Sequence, residues 1–241
     1  MARTVVSEKP VFQPSQNTNG RAAFSAVVFD MDGVIIDSHP AHRKAWRKFL
    51  HSMGREVSDS ELDFILDGRK RSEILRHFLG NLSEAELEAK GKCKDQFFQD
   101  LELEVKPIRG VIEFLNSLRS RNIVIALATS ASESRARSTL ARLGLTDLFE
   151  AIITGGDVPK GKPDPAIYRI TCERLYLEPK NVLAIEDAVS GVRAAKGAGI
   201  RCVGVTGHEA PSRLIAAGAA CVIEDFHGAS KEKLERLMNN P

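Results

Sequence analysis

Four acidic side chains follow two apolar runs, and their spacing suits chemistry assisted by a metal ion. Asp30 and Asp32 follow the run AVVF, and Glu186 and Asp187 follow the run VLAI. Short apolar runs bounded by turn residues predict buried strands of a parallel sheet, whose ligands bind beyond the carboxyl ends of the strands. Carboxylates gathered in one crevice require a cation between them, and Mg²⁺ prefers oxygen ligands. We therefore expect a divalent metal site.

The segment DMDG carries the first pair of acids. Asp30 and Asp32 are two residues apart, so on a regular strand both would face the same way, and Gly33 permits a sharp turn behind them. A carboxylate beside a metal can attack phosphorus, while a second carboxyl group protonates the leaving oxygen. The alternative is an ordinary turn with solvated acids. A calcium-binding loop is excluded, because Val34 stands where such a loop needs an oxygen ligand.

Three further segments have the residue types of a phosphate site. Thr129 and Ser130 end an apolar run, where a hydroxyl and a backbone N–H can hold phosphate oxygens. GDVPKGKPDP begins like a nucleotide P-loop, but Pro163 replaces the required hydroxyl, so only Lys162 remains as a charge for a phosphoryl group. Glu186 and Asp187 are adjacent, so both reach one ligand only if the chain turns there. Ordinary turns and a solvated surface lysine are the competing interpretations.

Composition narrows the class of protein. The 241 residues are 43% apolar and 27% charged with a net charge of +2, which indicates a globular protein without the basic surface that binds nucleic acid. No apolar run approaches the roughly 20 residues that span a membrane. Four cysteines without paired spacing favour the reduced cytoplasm. Residues 1–22 are predicted to be a flexible tail.

Strand-like and helix-like segments alternate along most of the chain. The strand-like runs cover residues 24–30, 123–129, 150–154, 181–186, 201–205 and 220–223. This alternation predicts an α/β fold with a Rossmann-like, doubly wound parallel sheet. Residues 38–106 break the alternation with several helical patterns and a capping box formed by Ser83 and Glu86, so we predict an inserted α-helical cap domain. The core domain would comprise residues 23–37 and 107–241.

Together these segments resemble the haloacid dehalogenase superfamily. DMDGVIID, LATS, GKPDP and IEDAVSG are similar to its four motifs in order and spacing. The resemblance implies a phosphohydrolase in which Asp30 is the nucleophile and Asp32 is the general acid and base. Thr129, Ser130 and Lys162 would hold the phosphoryl group. The resemblance assigns Mg²⁺ to Asp30, the carbonyl of Asp32, Glu186 and Asp187. Ala188 departs from the serine of many relatives.

The segment between the first two motifs resembles the cap of the beta-phosphoglucomutase-like and phosphoglycolate-phosphatase-like branch. The resemblance implies that four residues contact substrate, and these are His42, Trp46, Gly68 and Arg71. Arg71 would grip a second phosphate of the substrate. The competing interpretations are that Trp46 packs in an apolar stripe of the cap, that His42 packs or caps a helix, and that Arg71 lies on a solvated face.

Two departures favour a phosphatase over a mutase. Glu133 stands where the mutases carry positive charge after the second motif, the first basic residue being Arg135, and Asp67 replaces a cap lysine. We therefore expect an Mg²⁺-dependent phosphatase of small phosphorylated metabolites, in the main sugar phosphates, acting through an aspartyl-phosphate as a monomer or weak homodimer. The alternatives are beta-phosphoglucomutase and a non-enzymatic phosphometabolite sensor. Dehalogenation is disfavoured because the acidic pair is kept.

Overall fold

The computed structural model describes residues 24–239, so the predicted tail over residues 1–22 lies outside the described part. The strands are β1 (Ala26–Phe29), β2 (Ile36–Asp37), β3 (Lys106–Pro107), β4 (Val124–Ala128), β5 (Ala151–Ile153), β6 (Val182–Glu186), β7 (Arg201–Val205) and β8 (Cys221–Ile223). The α-helices are α1 (His39–Ser52), α2 (Asp59–Leu62), α3 (Arg71–Leu79), α4 (Glu84–Gln99), α5 (Val111–Ser120), α6 (Glu133–Arg142), α7 (Ala166–Leu175), α8 (Val189–Gly197), α9 (Pro211–Ala217) and α10 (Lys231–Asn239).

Six of the strands form one parallel sheet in the order β5-β4-β1-β6-β7-β8. The central strand β1 is buried throughout, and its side chains alternate between two apolar cores. Val27 and Phe29 pack with residues of α5 and α6, whereas Ala26 and Val28 pack with residues of α7, α8 and α9. Helices therefore cover both faces of the sheet, and the predicted α/β fold class is confirmed. The strand order reverses direction at β1, which places a crevice beyond its carboxyl end.

Helices α1–α4, which we call the cap helices, lie between β2 and β3. These two short strands pair antiparallel, with Ile36 opposite Pro107 and Asp37 opposite Lys106. The cap helices have an apolar core of their own around Trp46. The predicted capping box of α4 is confirmed, because Ser83 accepts from the N–H of Glu86 and the Glu86 carboxylate accepts from that of Ser83. The limits of the cap domain at residues 38 and 106 stay a prediction. Strand β2 ends at Asp37 and strand β3 begins at Lys106, close to these limits.

The described residues also bear on membrane insertion and on disulfide bonding. None of the helices between residues 24 and 239 combines the length and the apolar character that a membrane crossing needs. All four cysteines are unpaired; Cys93 is exposed and the other three are buried. The cytoplasmic location stays a prediction.

Candidate active site

The four predicted motifs meet at the carboxyl edge of the sheet. Asp30 follows β1 directly, and its backbone N–H donates to the carbonyl of Ile185 on the neighbouring strand (3.0 Å). Thr129 follows β4 on the other side, where its N–H donates to the carbonyl of Ile153 (3.0 Å). Because the adjacent strands are parallel, their ends lie side by side, and the groups that follow them share one crevice.

Lys162 is the buried cation of this crevice, with a side chain only 1% exposed. Its Nζ donates to Asp30 Oδ1 at 2.6 Å, to Glu186 Oε1 at 2.5 Å and to the carbonyl of Ala128 at 3.0 Å. These three acceptors match the three protons of an ammonium group. Burial alone would lower the pKa of Lys162, but Asp30 and Glu186 outweigh it and raise that pKa above its usual value. The lysine therefore stays charged at every physiological pH.

Three buried carboxylates surround one point beside this lysine. Asp30, Glu186 and Asp187 each offer an oxygen, and these atoms all lie within 4.8 Å of one another. The adjacent pair converges because β6 ends at Glu186 and the chain bends at Asp187. Burial, followed by the charges of Glu186 and Asp187, raises the pKa of Asp30 well above its ordinary value despite Lys162. The sequence left open whether both members of the pair reach one ligand, and the structure brings both there.

The donor set of this cluster fits a divalent cation. Asp187 Oδ2 is buried and makes no hydrogen bond within the described residues, although His39 Nε2 lies 3.1 Å from it. A Cβ on Gly33 would stand 1.9 Å from the same oxygen, and a Cβ on Gly191 would stand 2.1 Å from the Glu186 carboxyl group. Glycine at both positions therefore leaves space for the carboxyl groups of Asp187 and Glu186. A buried oxygen of this kind is costly unless a ligand satisfies it, and hard cations such as Mg²⁺ take carboxylate oxygens.

Asp32 lies outside this cluster and has different partners. Its Oδ1 accepts from Ser38 Oγ at 2.6 Å and contacts His42 Nε2 at 3.2 Å. Arg135 donates to both carboxylate oxygens, with 2.9 Å from Nη1 to Oδ1. Burial favours the neutral acid, but the charge and the hydrogen bonds of Arg135 outweigh it, and the pKa of Asp32 lies well below its ordinary value. The sequence did not show that Arg135 would lie against Asp32.

The predicted phosphate-holding residues lie beside the acids. Thr129 is buried, and its Oγ1 accepts from the N–H of Ala131 at 3.1 Å. Ser130 Oγ donates to the carbonyl of Gly68 at 2.5 Å, which links the core to the cap segment. Gly68 has a positive φ of 67°, a conformation that favours glycine. Ser130 and Gly68 both line the cavity between the acids and the cap helices.

The three predicted cap side chains also line this cavity, in different environments. His42 stacks on Phe98 with ring centroids 4.4 Å apart, and burial, followed by the charge of Lys94, lowers the pKa of His42 to about 3. Trp46 is 2% exposed and packs edge-on against Phe49, so it belongs to the cap core as well as to the cavity wall. Arg71 forms an ion pair with Asp95.

Three functional candidates escaped the sequence analysis. Tyr168 of α7 donates to Glu186 Oε1 at 2.6 Å. Lys94 of α4 is 3% exposed, and its Nζ lies 3.4 Å from His42 Nδ1. The side chain of Arg135 turns from the first turn of α6 into the cavity. Ser132 is the N-cap residue of α6, and Arg135 follows it by three residues. The place of Arg135 in the first turn of a helix was therefore the available signal.

Glu133 and Asp67, which argued against a second anion site, do not place free negative charge in the cavity. Glu133 is exposed and accepts from Arg137 Nε at 2.8 Å. Asp67 Oδ2 lies 3.2 Å from Arg69, and Asp67 Oδ1 accepts from the N–H of Ser190. Each of these two carboxylates therefore has a partner in the protein, and the basic side chains of Arg135 and Lys94 line the cavity.

Comparison with known proteins places the chain in a family. A model of the haloacid dehalogenase-like hydrolases matches residues 24–199. The chain belongs to this family. A Thermotoga maritima protein named phosphorylated carbohydrates phosphatase is 33% identical in a match that covers 87% of this chain and 99% of that protein. Bacillus subtilis beta-phosphoglucomutase is 34% identical in a match that covers 75% of this chain and 82% of that protein.

A similar solved structure is that of beta-phosphoglucomutase from Clostridium difficile. Its TM-score is 0.79 at 28% identity, and the match covers 90% of this chain and 97% of that chain. The family and fold predictions are confirmed. The predicted class of enzyme, a phosphoric monoester hydrolase, is confirmed as well, since the matched family is one of hydrolases and the relatives include a phosphatase.

Proposed function

We propose that this enzyme is an Mg²⁺-dependent phosphatase that hydrolyses small phosphomonoesters, in the main sugar phosphates, through an aspartyl-phosphate. The observation that carries the proposal is the cluster of Asp30, Glu186 and Asp187, whose oxygens lie within 4.8 Å of one another and two of which accept from Lys162. The names of the phosphatase relatives support sugar phosphates as the substrate class.

The residues divide the reaction between them. Asp30 Oδ attacks phosphorus while the bond to the leaving oxygen breaks. Asp32, once it has separated from Arg135 and taken up a proton from solvent, gives that proton to the leaving oxygen. Asp32 then takes a proton from the water that cleaves the aspartyl-phosphate. Lys162, the Thr129 hydroxyl and the Ser130 N–H hold the phosphoryl oxygens and neutralise their charge in the transition state. Tyr168 keeps Glu186 oriented through its hydrogen bond.

Asp30, Glu186, Asp187 and the carbonyl of Asp32 would hold Mg²⁺. When bound, the metal ion neutralises the negative charge between the nucleophile and the phosphoryl group. Lys162 forms ion pairs with two of the three acids, and His39 Nε2 lies 3.1 Å from the third, Asp187. A divalent cation would add the positive charge that an incoming phosphate group needs beside these acids.

Beta-phosphoglucomutase activity is the second candidate, and one observation favours it. Arg71, Lys94 and Arg135 line the cavity across from the nucleophile, so a second anionic group would find positive charge there. A mutase needs two such sites, because its bisphosphate intermediate binds in two orientations. Product analysis separates the two activities, since only the mutase returns the phosphoryl group to the sugar.

The substitution Asp30→Asn tests the nucleophile. Hydrolysis of p-nitrophenyl phosphate with Mg²⁺ should be lost while the circular dichroism spectrum is unchanged, because an amide cannot attack phosphorus. Asp147→Asn, at an exposed carboxylate outside the site, is the matched control and should keep wild-type turnover. Turnover of Asp30→Asn above about a few per cent of wild type would contradict the assignment.

A further inference from the structure

Arg135 occupies the space that a substrate needs, and it is bonded to the proposed general acid. Its guanidinium donates to both oxygens of Asp32 and lies 5.1 Å from the ring centroid of Phe98 in the cap. The side chain is 11% exposed. The cavity measures about 70 Å³, whereas small-molecule sites usually measure roughly 300–1,000 Å³. Binding of a sugar phosphate must therefore move side chains that line this cavity.

The pair of Arg135 and Asp32 must separate before the reaction. Asp32 needs a free carboxyl oxygen facing the leaving group, yet Arg135 donates to both of its oxygens. A guanidinium left nearly buried without an anion is strongly unfavourable. The neighbouring carboxylate of Asp95 is already paired with Arg71 and lies 3.7 Å from Lys94. A substrate with a neutral leaving group would leave Arg135 without a partner, whereas a substrate with a second anionic group would supply one.

We propose that Arg135 is a specificity-determining residue that exchanges Asp32 for a second anionic group of the substrate. The preferred substrates would be phosphomonoesters whose leaving group carries a further phosphate or carboxylate. A guanidinium suits this role, since it binds phosphate and carboxylate through two parallel hydrogen bonds. The exchange frees Asp32 for the leaving oxygen only when the correct substrate is bound. This inference rests on the proposed phosphatase activity and specifies its substrates.

A matched pair of substrates tests the exchange. Release of the 1-phosphate is followed for beta-glucose 1-phosphate, which gives glucose, and for beta-glucose 1,6-bisphosphate, which gives glucose 6-phosphate, so the two reactions differ by the second phosphate alone. For the wild-type enzyme, we expect kcat/KM to be at least about tenfold higher for the bisphosphate. Arg135→Ala should lower this preference at least about tenfold, mainly through a higher KM for the bisphosphate, and Arg135→Lys should fall between the two.

Arg137→Ala is the control on the same helix, because Arg137 is exposed and forms an ion pair with Glu133. It should keep the wild-type preference. If Arg135→Ala does not fold, Arg135→Gln removes the charge while keeping much of the contact with Phe98. An equal loss on both substrates, or a wild-type enzyme without the preference, would overturn the role of Arg135. Failure of the phosphatase proposal would look different, since neither substrate nor p-nitrophenyl phosphate would then be hydrolysed.

Discussion

Two lysines of this enzyme are buried to the same degree and differ in almost everything else. Lys162 of the core is 1% exposed and lies within 2.6 Å of both Asp30 and Glu186. Lys94 of the cap is 3% exposed, and its Nζ lies 3.7 Å from a carboxylate oxygen of Asp95. The pKa of Lys162 is raised by its carboxylates, whereas burial, followed by the charge of Arg135, lowers the pKa of Lys94 to about 7.

Lys162 is a cation that is paired with carboxylates of the protein itself, whereas Lys94 is a cation that can pair with an anionic ligand. Lys162 balances charges that the fold itself buries. Lys94 lies 5.3 Å from the ring centroid of Trp46 and 5.0 Å from that of Phe98, and these rings stabilise it less than a carboxylate would. A buried cation with such weak partners is typical of a functional site, because a bound anion supplies the counter-charge that the neighbouring side chains do not.

The largest effect is expected from Lys162→Met. This substitution leaves Asp30 and Glu186 buried without their cation, which should lower the free energy of unfolding by about 3–5 kcal/mol. Turnover of p-nitrophenyl phosphate should fall at least about a thousandfold, since the phosphoryl oxygens lose their fixed charge. Urea unfolding without added divalent cation and steady-state kinetics measure the two effects. A variant as stable as wild type would show that the ion pairs of Lys162 do not stabilise the fold.

Lys94→Met should have the opposite effect on stability. The folded-state pKa of about 7 lies below the ordinary value of 10.5, so burial of Lys94 destabilises the fold fully at and below pH 7. This penalty shrinks as the pH rises towards the unfolded pKa. The variant should therefore be about 1–3 kcal/mol more stable at neutral pH and gain less near pH 10. Its kcat/KM for sugar phosphates should fall about tenfold.

Urea unfolding at the two pH values tests the stability of Lys94→Met, and Lys92→Met is its matched control on an exposed part of the same helix. The control should leave both stability and kcat/KM unchanged. A Lys94→Met enzyme that is less stable than wild type at neutral pH would contradict the comparison of the two lysines.

A smaller effect is expected in the pH dependence of kcat/KM. Lys94 is charged below a pH of about 7 and loses its proton as the pH rises through that value. The kcat/KM of the wild-type enzyme for glucose 1,6-bisphosphate should thus fall by about threefold to tenfold above neutral pH, since kcat/KM reports groups of the free enzyme. Lys94→Met should lack this fall. An equal fall in both enzymes would assign the titration to another group.

The sequence predicted which residues of the core site the sheet would bring together, while their roles stay a prediction. Asp30, Thr129 and Asp187 each follow an apolar run, and the parallel sheet then brings the ends of those runs together. The prediction needed only the position of each strand end, which local patterns indicate well. The bend at Asp187 was left open, because adjacent side chains converge only where a strand stops.

The cavity wall across from this site could not be predicted in the same way. Helix α4 carries several lysines, and helical spacing did not distinguish buried Lys94 from exposed Lys92. The environment of Lys94 is made by Trp46 and His42 of α1, so it depends on how the cap helices pack. The partner of Arg135 is likewise more than 100 residues away in the chain. The pKa of Asp32 could not be inferred for the same reason.

The most direct test of the central claim is a phosphorus NMR time course. Purified enzyme with Mg²⁺ is given beta-glucose 1-phosphate and a trace of glucose 1,6-bisphosphate, and the products are followed over time. A phosphatase predicts growth of inorganic phosphate, with glucose 6-phosphate never exceeding the trace of bisphosphate supplied, and no growth with Asp30→Asn. Accumulation of glucose 6-phosphate beyond that trace would contradict the account and establish the mutase activity in its place.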